Sequence, residues 1–492
     1  MFIALAELLQ GVGDDAPAAE PPFVALVTAA AAALRRSWDS GFVDLAPPPA
    51  DLFTAAAAAA PDQVVAKTAE GYAFYALYPE AYREAARQLP PEVQVIGLRS
   101  IGAGLACVVA EAAGAPPPLI VRPAGHPFRR AVALPKVDPA RTFAVVDEGP
   151  GLSGSSFGAV ADALESQGVP PERILFLPGH GGELGPEASD AHRRRWAAAR
   201  RLHVGFDALI APRLPDWVAD LTGPAHAVED LSGGAWRRLT HGPDEAAWPP
   251  SAAHQERRKV LLRSDQGAFL LKFVGLGEAG LQASRRARAL HAAGFGPETL
   301  GWRHGFLVQR WTESRPLAPS DRPQLLAVLP RYLAWRASAF PSEPGASPQA
   351  LHAMARVNVG QALGPAAAAR LPDPPLPQSA VAGDHRLHAW EWRVAADGRL
   401  FKTDAVDHAF GHDLVGPQPP AWDVAGVVVE HDLTPDEAAP LGPVHPFWPA
   451  AYCAFQLGLW RMAADALGGW PEEQARCAAQ ADRYARRLRT SP

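Results

Sequence analysis

Short apolar runs that end in glycine-rich polar turns recur along the first half of the chain. The runs at 93–98, 119–121, 143–146 and 174–177 contain almost no polar residues, which is typical of strands buried on both faces. The run at 143–146 leads through a Gly/Ser loop to a predicted helix over 157–164. This alternation predicts an α/β domain with a parallel sheet, whose loops meet at the carboxyl ends of the strands.

The second half of the chain has a different pattern. Residues 259–273 predict a β-hairpin around a polar turn, with Lys272 on the return strand. A predicted helix over 278–293 follows, and then a strand pair that ends at 305–308. Two amphipathic helices are predicted to close the chain, over 446–467 and 471–488.

Chain length and turn residues predict two domains. With 492 residues the chain is too long for one average domain. Between 214 and 248 the regular pattern is broken by Gly-Pro, Ser-Gly-Gly and Trp-Pro-Pro sequences, so we expect a boundary near residue 225. The predicted domains are therefore 1–224 and 225–492.

Composition excludes several classes of function. A net charge of −6 gives no electrostatic basis for binding nucleic acid or an anionic membrane. The three cysteines are too widely spaced for a disulfide framework or a zinc site. The N-terminal residues lack a basic signal region, and we expect no apolar run of the roughly 18 residues that cross a bilayer. A cytoplasmic protein is predicted.

The most informative stretch follows the run at 143–146. It begins with Asp147 and Glu148 and continues through a loop of Gly, Pro and Ser to the predicted helix. Such a loop directs backbone N–H groups at a phosphate, and the helix N-terminus adds a favourable dipole. The two carboxylates suit sugar hydroxyls or Mg²⁺. Together they predict a site for a ribose 5-phosphate, although an ordinary strand–turn–helix connection is the alternative.

These residues resemble the signature of the type I phosphoribosyltransferases. The resemblance implies that Asp147 and Glu148 contact the ribose of phosphoribosyl pyrophosphate (PRPP) as catalytic residues. Where the commonest loop has two threonines, this chain has Gly151 and Leu152, which shifts phosphate binding to the backbone and the serines. The implied 5-phosphate loop consists of Gly151, Ser153, Gly154, Ser155 and Ser156.

Two further segments fit the same resemblance. In the first, Arg99, Ser100, Gly102 and Gly104 follow the run at 93–98 and are implied to bind pyrophosphate, with the glycines allowing close backbone approach. In the second, three arginines resemble the mobile basic loop of that family, with a solvated surface turn as the alternative. They are Arg122, Arg129 and Arg130.

A second resemblance lies in the other half of the chain. Lys272 on its strand, with Glu278 on the following helix, is similar to the ATP-binding pair of aminoglycoside-phosphotransferase-like kinases. Downstream, Asp384, Asp404 and Asp423 match in order the catalytic, metal-binding and structural aspartates of that family. The match implies Asp384 as the catalytic residue and Asp404 as a metal ligand, because phosphoryl transfer requires an oriented hydroxyl and neutralised phosphates. The family's Asn ligand is missing, so Glu391 is expected to replace it as a metal ligand.

The same region allows other interpretations. Its histidines and carboxylates also suit a transition-metal site, and a helical accessory domain with scattered histidines is a further alternative. The residues concerned are His385, His388, His408, His412, Asp404 and Asp413.

The two resemblances imply a bifunctional transferase. The expected fold is a parallel-sheet phosphoribosyltransferase-like α/β domain joined to a two-lobed, protein-kinase-like α+β domain. The expected activities are PRPP-dependent phosphoribosyl transfer and ATP-dependent phosphorylation of a small hydroxylated metabolite, with Mg²⁺. Alternatives are a PRPP- or nucleotide-sensing protein with one or both domains silent, and a nucleotide phosphorylase. The expected partners are small-molecule substrates, without nucleic acid or membrane, and a homodimer is left open.

Overall fold

The computed structural model describes residues 1–253, 256–411 and 415–490. It divides the chain into two compact units, one formed by Met1–Leu214 with Gly275–Gly277 and the other by Pro215–Val274 with Glu278–Pro492. This division lies ten residues before the boundary expected near 225. That the units carry separate activities stays a prediction.

The first unit contains a parallel sheet, as the apolar runs predict. Its strands are β1 (Gln94–Leu98), β2 (Leu119–Val121), β3 (Ala124–His126), β4 (Arg129–Ala131), β5 (Phe143–Val146), β6 (Ile174–Leu177) and β7 (Arg200–Arg201). Five of them form one sheet in the order β2-β1-β5-β6-β7, with every neighbouring pair parallel. Strands β3 and β4 form a separate antiparallel hairpin, which includes part of the predicted basic loop.

Helices cover both faces of this sheet. They are α1 (Phe2–Asp15), α2 (Glu20–Asp39), α3 (Ala50–Ala59), α4 (Glu70–Phe74), α5 (Pro79–Ala86), α6 (Gly102–Ala113), α7 (Ser155–Glu165), α8 (Asp190–Ala198) and α9 (Phe206–Leu209). Along β5, Ala144 and Val146 pack in the cluster that contains α1, α2 and α6, whereas Phe143 and Val145 pack in the cluster that contains α7. Burial on both faces explains the unbroken apolar run in the sequence.

One helical stretch of the first unit, Pro17–Asp39, is long and apolar enough to cross a membrane by length and composition. The expectation that no apolar run reaches the roughly 18 residues that cross a bilayer is therefore wrong by length and composition. Pro-rich and Ala-rich segments join here into one helical stretch. In the structure Leu26, Val27 and Ala30 are buried in the core cluster around α6. Packing thus accounts for part of the apolar composition, since 39% of the apolar window is buried. The cytoplasmic location stays a prediction.

The second unit begins with an antiparallel sheet. Its strands are β8 (Ala225–Asp230), β9 (Lys259–Ser264), β10 (Gly267–Phe273), β11 (Thr299–Arg303) and β12 (Phe306–Arg310). Their order is β11-β12-β10-β9-β8. The hairpin β9–β10 and the pair β11–β12 confirm the sequence prediction. The edge strand β8 was not predicted, because its residues are mostly exposed and form no apolar run.

The remainder of the second unit is mainly helical. Its short strands are β13 (Ser314–Pro316), β14 (Pro341–Ser342), β15 (Ala380–Val381), β16 (Trp392–Ala395) and β17 (Leu400–Lys402). Helix α10 (Leu214–Trp217) begins at the last residue of the first unit, and the other helices are α11 (Ala219–Thr222), α12 (Arg237–His241), α13 (Gly277–Ala292), α14 (Arg322–Ala339), α15 (Pro348–Leu363), α16 (Pro365–Ala368), α17 (Pro420–Glu430), α18 (Pro435–Ala438), α19 (Phe447–Ala466) and α20 (Pro471–Thr490). This composition confirms the α+β class.

Candidate functional site

The two predicted anion loops of the first unit lie side by side. Strands β1 and β5 are parallel neighbours, and Gly97 pairs with Val146 at their carboxyl ends. A Cβ atom on Gly102 would lie only 2.5 Å from the carbonyl oxygen of Val146. The glycine thus lets α6 begin directly against the end of β5. The structure therefore brings the turn at 99–102 next to the acidic pair, as the sheet topology predicts.

Gly104 has a packing role in the structure. A Cβ atom there would lie 2.5 Å from the Cβ of Ala6 and 3.5 Å from Phe2. Both neighbours belong to α1, which packs on α6 in the core. The missing side chain therefore allows two helices to approach each other, and the expected contact of Gly104 with pyrophosphate stays a prediction.

The predicted acidic pair is half-buried at the edge of the sheet. Asp147 Oδ1 accepts a hydrogen bond from the backbone N–H of Glu148 at 2.9 Å. Burial, reinforced by the neighbouring Glu148, raises the pKa of Asp147. Burial and the nearby Glu70 raise the pKa of Glu148 to about 7. Glu148 Oε2 is buried and has no hydrogen-bond partner in the described part of the chain. A hydroxyl donor from a ligand would satisfy this oxygen.

The predicted phosphate loop already forms internal hydrogen bonds. Gly151 and Gly154 have positive φ angles of 65° and 63°, which glycine adopts without strain. Ser153 Oγ donates to Ser155 Oγ at 2.9 Å, and Ser155 Oγ donates to the carbonyl of Pro127 at 2.9 Å. Ser156 lies in the first turn of α7. Phosphate binding by this loop would therefore depend on backbone N–H groups more than on the serine hydroxyls.

The predicted arginines differ in their surroundings. Arg99 forms ion pairs with Asp14 and Glu20, and Arg122 pairs with the same Asp14. The Nε atom of Arg122 lies 2.9 Å from Asp14 Oδ1. Arg129, in the β3–β4 hairpin, is exposed. Asp14 thus pairs with Arg99 and Arg122, the two arginines that the resemblance implies for pyrophosphate binding.

In the second unit, one loop carries the predicted catalytic aspartate. The backbone N–H groups of Asp384 and His385 donate to the carboxylate of Asp423 at 2.7 and 2.9 Å. His385 has a positive φ of 62°, which a non-glycine residue rarely adopts. Asp423 lies on α17 and is buried. The structure therefore joins the first and last of the three predicted aspartates through the backbone of this loop.

Helix α14 supports the same loop with two residues that the sequence did not suggest. The Tyr332 hydroxyl donates to Asp384 Oδ2 at 2.5 Å. Arg336 donates to the carbonyls of Gly383 and Ala405, each at 2.8 Å. Both side chains are almost fully buried. The Tyr-x-x-x-Arg spacing places them on one helix face, but this spacing alone carries no functional signal.

Lys272 lies on β10 and contacts two carboxylates. It pairs with Asp404, and its Nζ lies 3.0 Å from Asp407 Oδ1. Arg257 Nε lies 3.1 Å from the other oxygen of Asp407. Burial would lower the pKa of Lys272, but the two carboxylates outweigh it and raise that pKa. The structure thus joins the predicted ATP-binding lysine to the predicted metal-binding aspartate.

The expected pairing of Lys272 with Glu278 is corrected by the structure. Glu278 lies in the first turn of α13 with its side chain 70% exposed. Its Oε1 accepts a hydrogen bond from Gln282 at 2.5 Å. Deeper along the same helix, the buried Arg286 donates to the carbonyl of Val406 at 2.6 Å. Because α13 presents arginine to this region, the lysine takes its counter-charge from Asp404 and Asp407.

Glu391, the expected metal ligand, is bound to a lysine. Lys402 Nζ lies 2.5 Å from Glu391 Oε2 and 3.4 Å from Asp384 Oδ2. It also donates to the carbonyl of Thr403 at 3.0 Å. Burial would raise the pKa of Asp384, but the Lys402 ammonium, with His408 and Arg336, holds it below its usual range. In this arrangement the Glu391 carboxylate is a counterion of Lys402, and its expected role as a metal ligand stays a prediction.

His408 lies between the two predicted functional aspartates. Its Nδ1 is 3.7 Å from Asp384 Oδ1, and its Nε2 is 3.7 Å from Asp404 Oδ1. Asp404, Asp407 and His408 place ligand atoms within 4.8 Å of one another. The oxygen donors suit Mg²⁺, and the imidazole also allows a transition metal. Asp404 keeps 28% of its side chain exposed, so an ion could reach it.

Two described members of the wider histidine cluster expected for a transition-metal site have other neighbours. His388 stacks on Trp390 with ring centroids 4.3 Å apart and lies 3.8 Å from Glu430. His385 lies against Trp422. The remaining two members, His412 and Asp413, lie outside the described residues. Among the described residues the possible metal ligands are therefore Asp404, Asp407 and His408.

Comparison with known proteins found no matching family model and no matching curated protein. Solved structures similar to this chain include choline kinase LicA from Streptococcus pneumoniae, at 14% identity and a TM-score of 0.37, covering 57% of this chain and 98% of that one. Spectinomycin phosphotransferase APH(9)-Ia, in complex with ADP and spectinomycin, has 13% identity and a TM-score of 0.36 over 56% and 93%. An ethanolamine kinase from Plasmodium vivax has 9% identity and a TM-score of 0.34 over 65% and 92%.

These likenesses have identities below 25% and TM-scores below 0.5. They establish neither a family nor an activity for this chain. Any function must therefore be argued from its own side chains.

Proposed function

We propose that the second unit is an ATP-dependent phosphotransferase that acts on a small hydroxylated molecule. The observation that carries this proposal is the position of the His408 ring, 3.7 Å from a carboxylate oxygen of both Asp384 and Asp404. The ring lies between Asp384, which is suited to orient a hydroxyl, and Asp404, which is suited to hold Mg²⁺. Such positioning is the main requirement of phosphoryl transfer.

One oxygen of the fully buried Asp384 carboxylate could receive the acceptor's proton once the acceptor reaches it. Its Oδ2 receives the Tyr332 hydroxyl, whereas its Oδ1 is buried and lacks a hydrogen-bond partner among the described residues. In the proposed reaction the acceptor oxygen forms a bond to the γ-phosphorus as its proton moves to Asp384 Oδ1. The bond from the γ-phosphorus to the bridging oxygen breaks, and its electron pair leaves with ADP. The proton then passes to solvent.

Lys272 and Asp404 would serve the nucleotide. Lys272 is the cation that can contact the ATP phosphates, once its own carboxylate partners turn toward a metal ion. Asp404 and Asp407, with His408, would hold Mg²⁺, whose charge neutralises the phosphates. Glu278, which is exposed on α13, has no place in this assignment.

The test is ADP formation by the purified protein with Mg²⁺, ATP and a panel of amino alcohols, amino sugars and sugars. Asp384→Asn keeps the shape of the loop but removes the charge that receives the proton. We expect it to lower ADP formation by about 100-fold or more while ATP affinity stays within a few-fold. Asp397→Asn, in the exposed β16–β17 turn, is the matched control. Tight ATP binding without ADP from any acceptor would instead favour a nucleotide-sensing protein.

We propose a second function for the first unit, which is binding of PRPP and transfer of its phosphoribosyl group. It is supported by the adjacency of the turn at 99–102 and the acidic pair, and by the unsatisfied Oε2 of Glu148. Asp147 and Glu148 would accept the ribose hydroxyls, and residues 151–156 would bind the 5-phosphate. Arg99 and Arg122 would have to exchange Asp14 for pyrophosphate.

Isothermal titration with PRPP and Mg²⁺ tests this second function. Binding that is lost in Asp147→Asn, together with pyrophosphate release in a mixture of metabolites, would support the transferase. No PRPP binding by the wild-type protein would reject it. The third alternative, a nucleotide phosphorylase, would bind orthophosphate and a nucleotide in the same assay.

A further inference from the structure

A buried ammonium group occupies the centre of the proposed phosphotransfer site. The side chains of Lys402 and Asp384 are 0% exposed, and that of Glu391 is 12% exposed. Lys402 contacts both carboxylates and donates to the carbonyl of Thr403. One lysine thus serves two carboxylates. Its removal would take the ion-pair partner from Glu391 and leave Asp384 with His408 and Arg336 as its nearby cations.

The position of Lys402 in the chain places it beside the expected metal ligand. It is the last residue of β17, and Asp404 follows two residues later. Asp404 is 28% exposed and forms part of the group that could hold an ion. The same short segment therefore provides one fixed internal cation and one reachable carboxylate.

Protein kinases hold two Mg²⁺ ions, one on the aspartate that follows the hairpin and one on an asparagine of the catalytic loop. At the corresponding place, five residues after Asp384, this chain has Ala389, which offers no side-chain ligand. Glu391 is the nearest carboxylate downstream, and its Oε2 is held by Lys402 at 2.5 Å. A second ion would have to displace a buried lysine from both of its carboxylates.

We propose that the Lys402 ammonium replaces the second metal ion, so that the site takes a single divalent cation, at Asp404. This inference rests on the proposed phosphotransferase function. The ammonium compensates the charge of Asp384 and Glu391 from inside the protein, where a second ion would otherwise do so. Lys402 acts as a positioning residue, because it fixes the carboxylate of Asp384 beside the reacting hydroxyl.

Electron paramagnetic resonance of Mn²⁺ counts the bound ions directly. The full-length wild-type protein, saturated with a non-hydrolysable ATP analogue, is titrated with Mn²⁺ against an analogue-only blank. We expect one Mn²⁺ per chain in addition to the blank, and Asp404→Asn should abolish it. Two protein-dependent Mn²⁺ ions in the wild-type complex would overturn the proposal.

Lys402→Met tests the role of the ammonium. We expect a second, weaker Mn²⁺ to bind, because Lys402 then no longer holds Glu391 and Asp384. ADP formation should fall by about 100-fold, with affinity for the ATP analogue within a few-fold. Unchanged turnover with a single Mn²⁺ would reject the proposal. If this variant does not fold, Lys402→Met with Glu391→Gln also removes the carboxylate charge that has lost its lysine partner. A loss of ADP formation in this folded double variant would then support the role of Lys402, and unchanged ADP formation would reject it.

The ion count separates this inference from the proposed function. A wild-type protein that binds the analogue with one Mn²⁺ but forms no ADP would reject the phosphotransferase and retain the single-ion site. A wild-type protein that forms ADP with two bound Mn²⁺ ions would retain the phosphotransferase and reject the role of Lys402.

Discussion

Most buried charges of the second unit are compensated by neighbours of opposite sign. Lys402 contacts Asp384 and Glu391, and Lys272 contacts Asp404 and Asp407. An uncompensated buried charge costs several kcal/mol by the usual estimates. This compensation keeps the pKa of Asp384 low in spite of full burial, so that the side chain remains a carboxylate at physiological pH.

Glu80 in the first unit has a raised pKa, in contrast to Asp384. Burial raises its pKa from 4.5 to about 7, and its Oε2 is buried without a hydrogen-bond partner in the described residues. Because the folded-state pKa lies above the unfolded-state value, the folded protein binds the proton more tightly. The resulting stability is present in full below about pH 4.5 and is lost as the pH rises through 7.

Urea unfolding between pH 5 and pH 8 measures this effect of Glu80 on the unfolding free energy. Between pH 5 and pH 8, protonated Glu80 should contribute a loss of unfolding free energy on the order of 2 kcal/mol in the wild-type protein. Glu80→Gln cannot titrate and should lack this contribution. Glu84→Gln on the same helix is the control and should leave the decline unchanged. A Glu80→Gln variant with the same pH dependence as the wild-type protein would contradict the protonated state of Glu80.

Close packing of α1 on α6 depends on a single glycine. A Cβ atom on Gly104 would lie 2.5 Å from the Cβ of Ala6, a distance at which one helix must move. Both helices belong to the cluster that covers one face of the parallel sheet. Gly104 thus has a packing role in the structure, and its expected pyrophosphate role stays a prediction.

We therefore predict that Gly104→Ala destabilises the protein by about 1–3 kcal/mol, because overpacking exceeds the gain in helix propensity. Gly360→Ala is the matched control. It lies within α15 with its nearest neighbour at 3.8 Å, and we expect no loss and up to about 1 kcal/mol of gain. Urea unfolding of both variants measures the difference. Equal stability of the two variants would contradict the packing role.

The chain as a whole consists of two compact units, each with its own sheet and core clusters. The parallel sheet carries the proposed PRPP residues, and the antiparallel sheet carries Lys272. Because every residue proposed for one activity lies in one unit, the two activities should be separable by mutation.

If the two activities are separable, each of two variants should lose one activity and keep the other. Asp147→Asn should abolish PRPP binding and leave ADP formation within about twofold, and Asp384→Asn should do the reverse. Circular dichroism of each variant controls for folding. Loss of both activities in either folded variant would show that the two reactions are obligatorily linked.

The sequence alone determined the strands of both sheets with the exceptions of β7 and β8. It also determined the helices after the glycine turns and the order of Asp384, Asp404 and Asp423. These features are local, because apolar periodicity and turn residues act over a few positions of the chain. The sequence also indicated that the turn at 99–102 and the acidic pair would meet, since parallel strands end at one edge of a sheet.

Only the tertiary structure decided which charges pair. Lys272 and Asp404 are separated by 132 residues, and Tyr332 and Asp384 by 52. The positions of Glu278 and Glu391 in the sequence suggested a lysine partner and a metal ligand, but the packing of α13 and the burial of Lys402 gave these carboxylates other neighbours. Such pairings depend on which side chains the fold brings together in a low-dielectric interior, and spacing along the chain does not encode that.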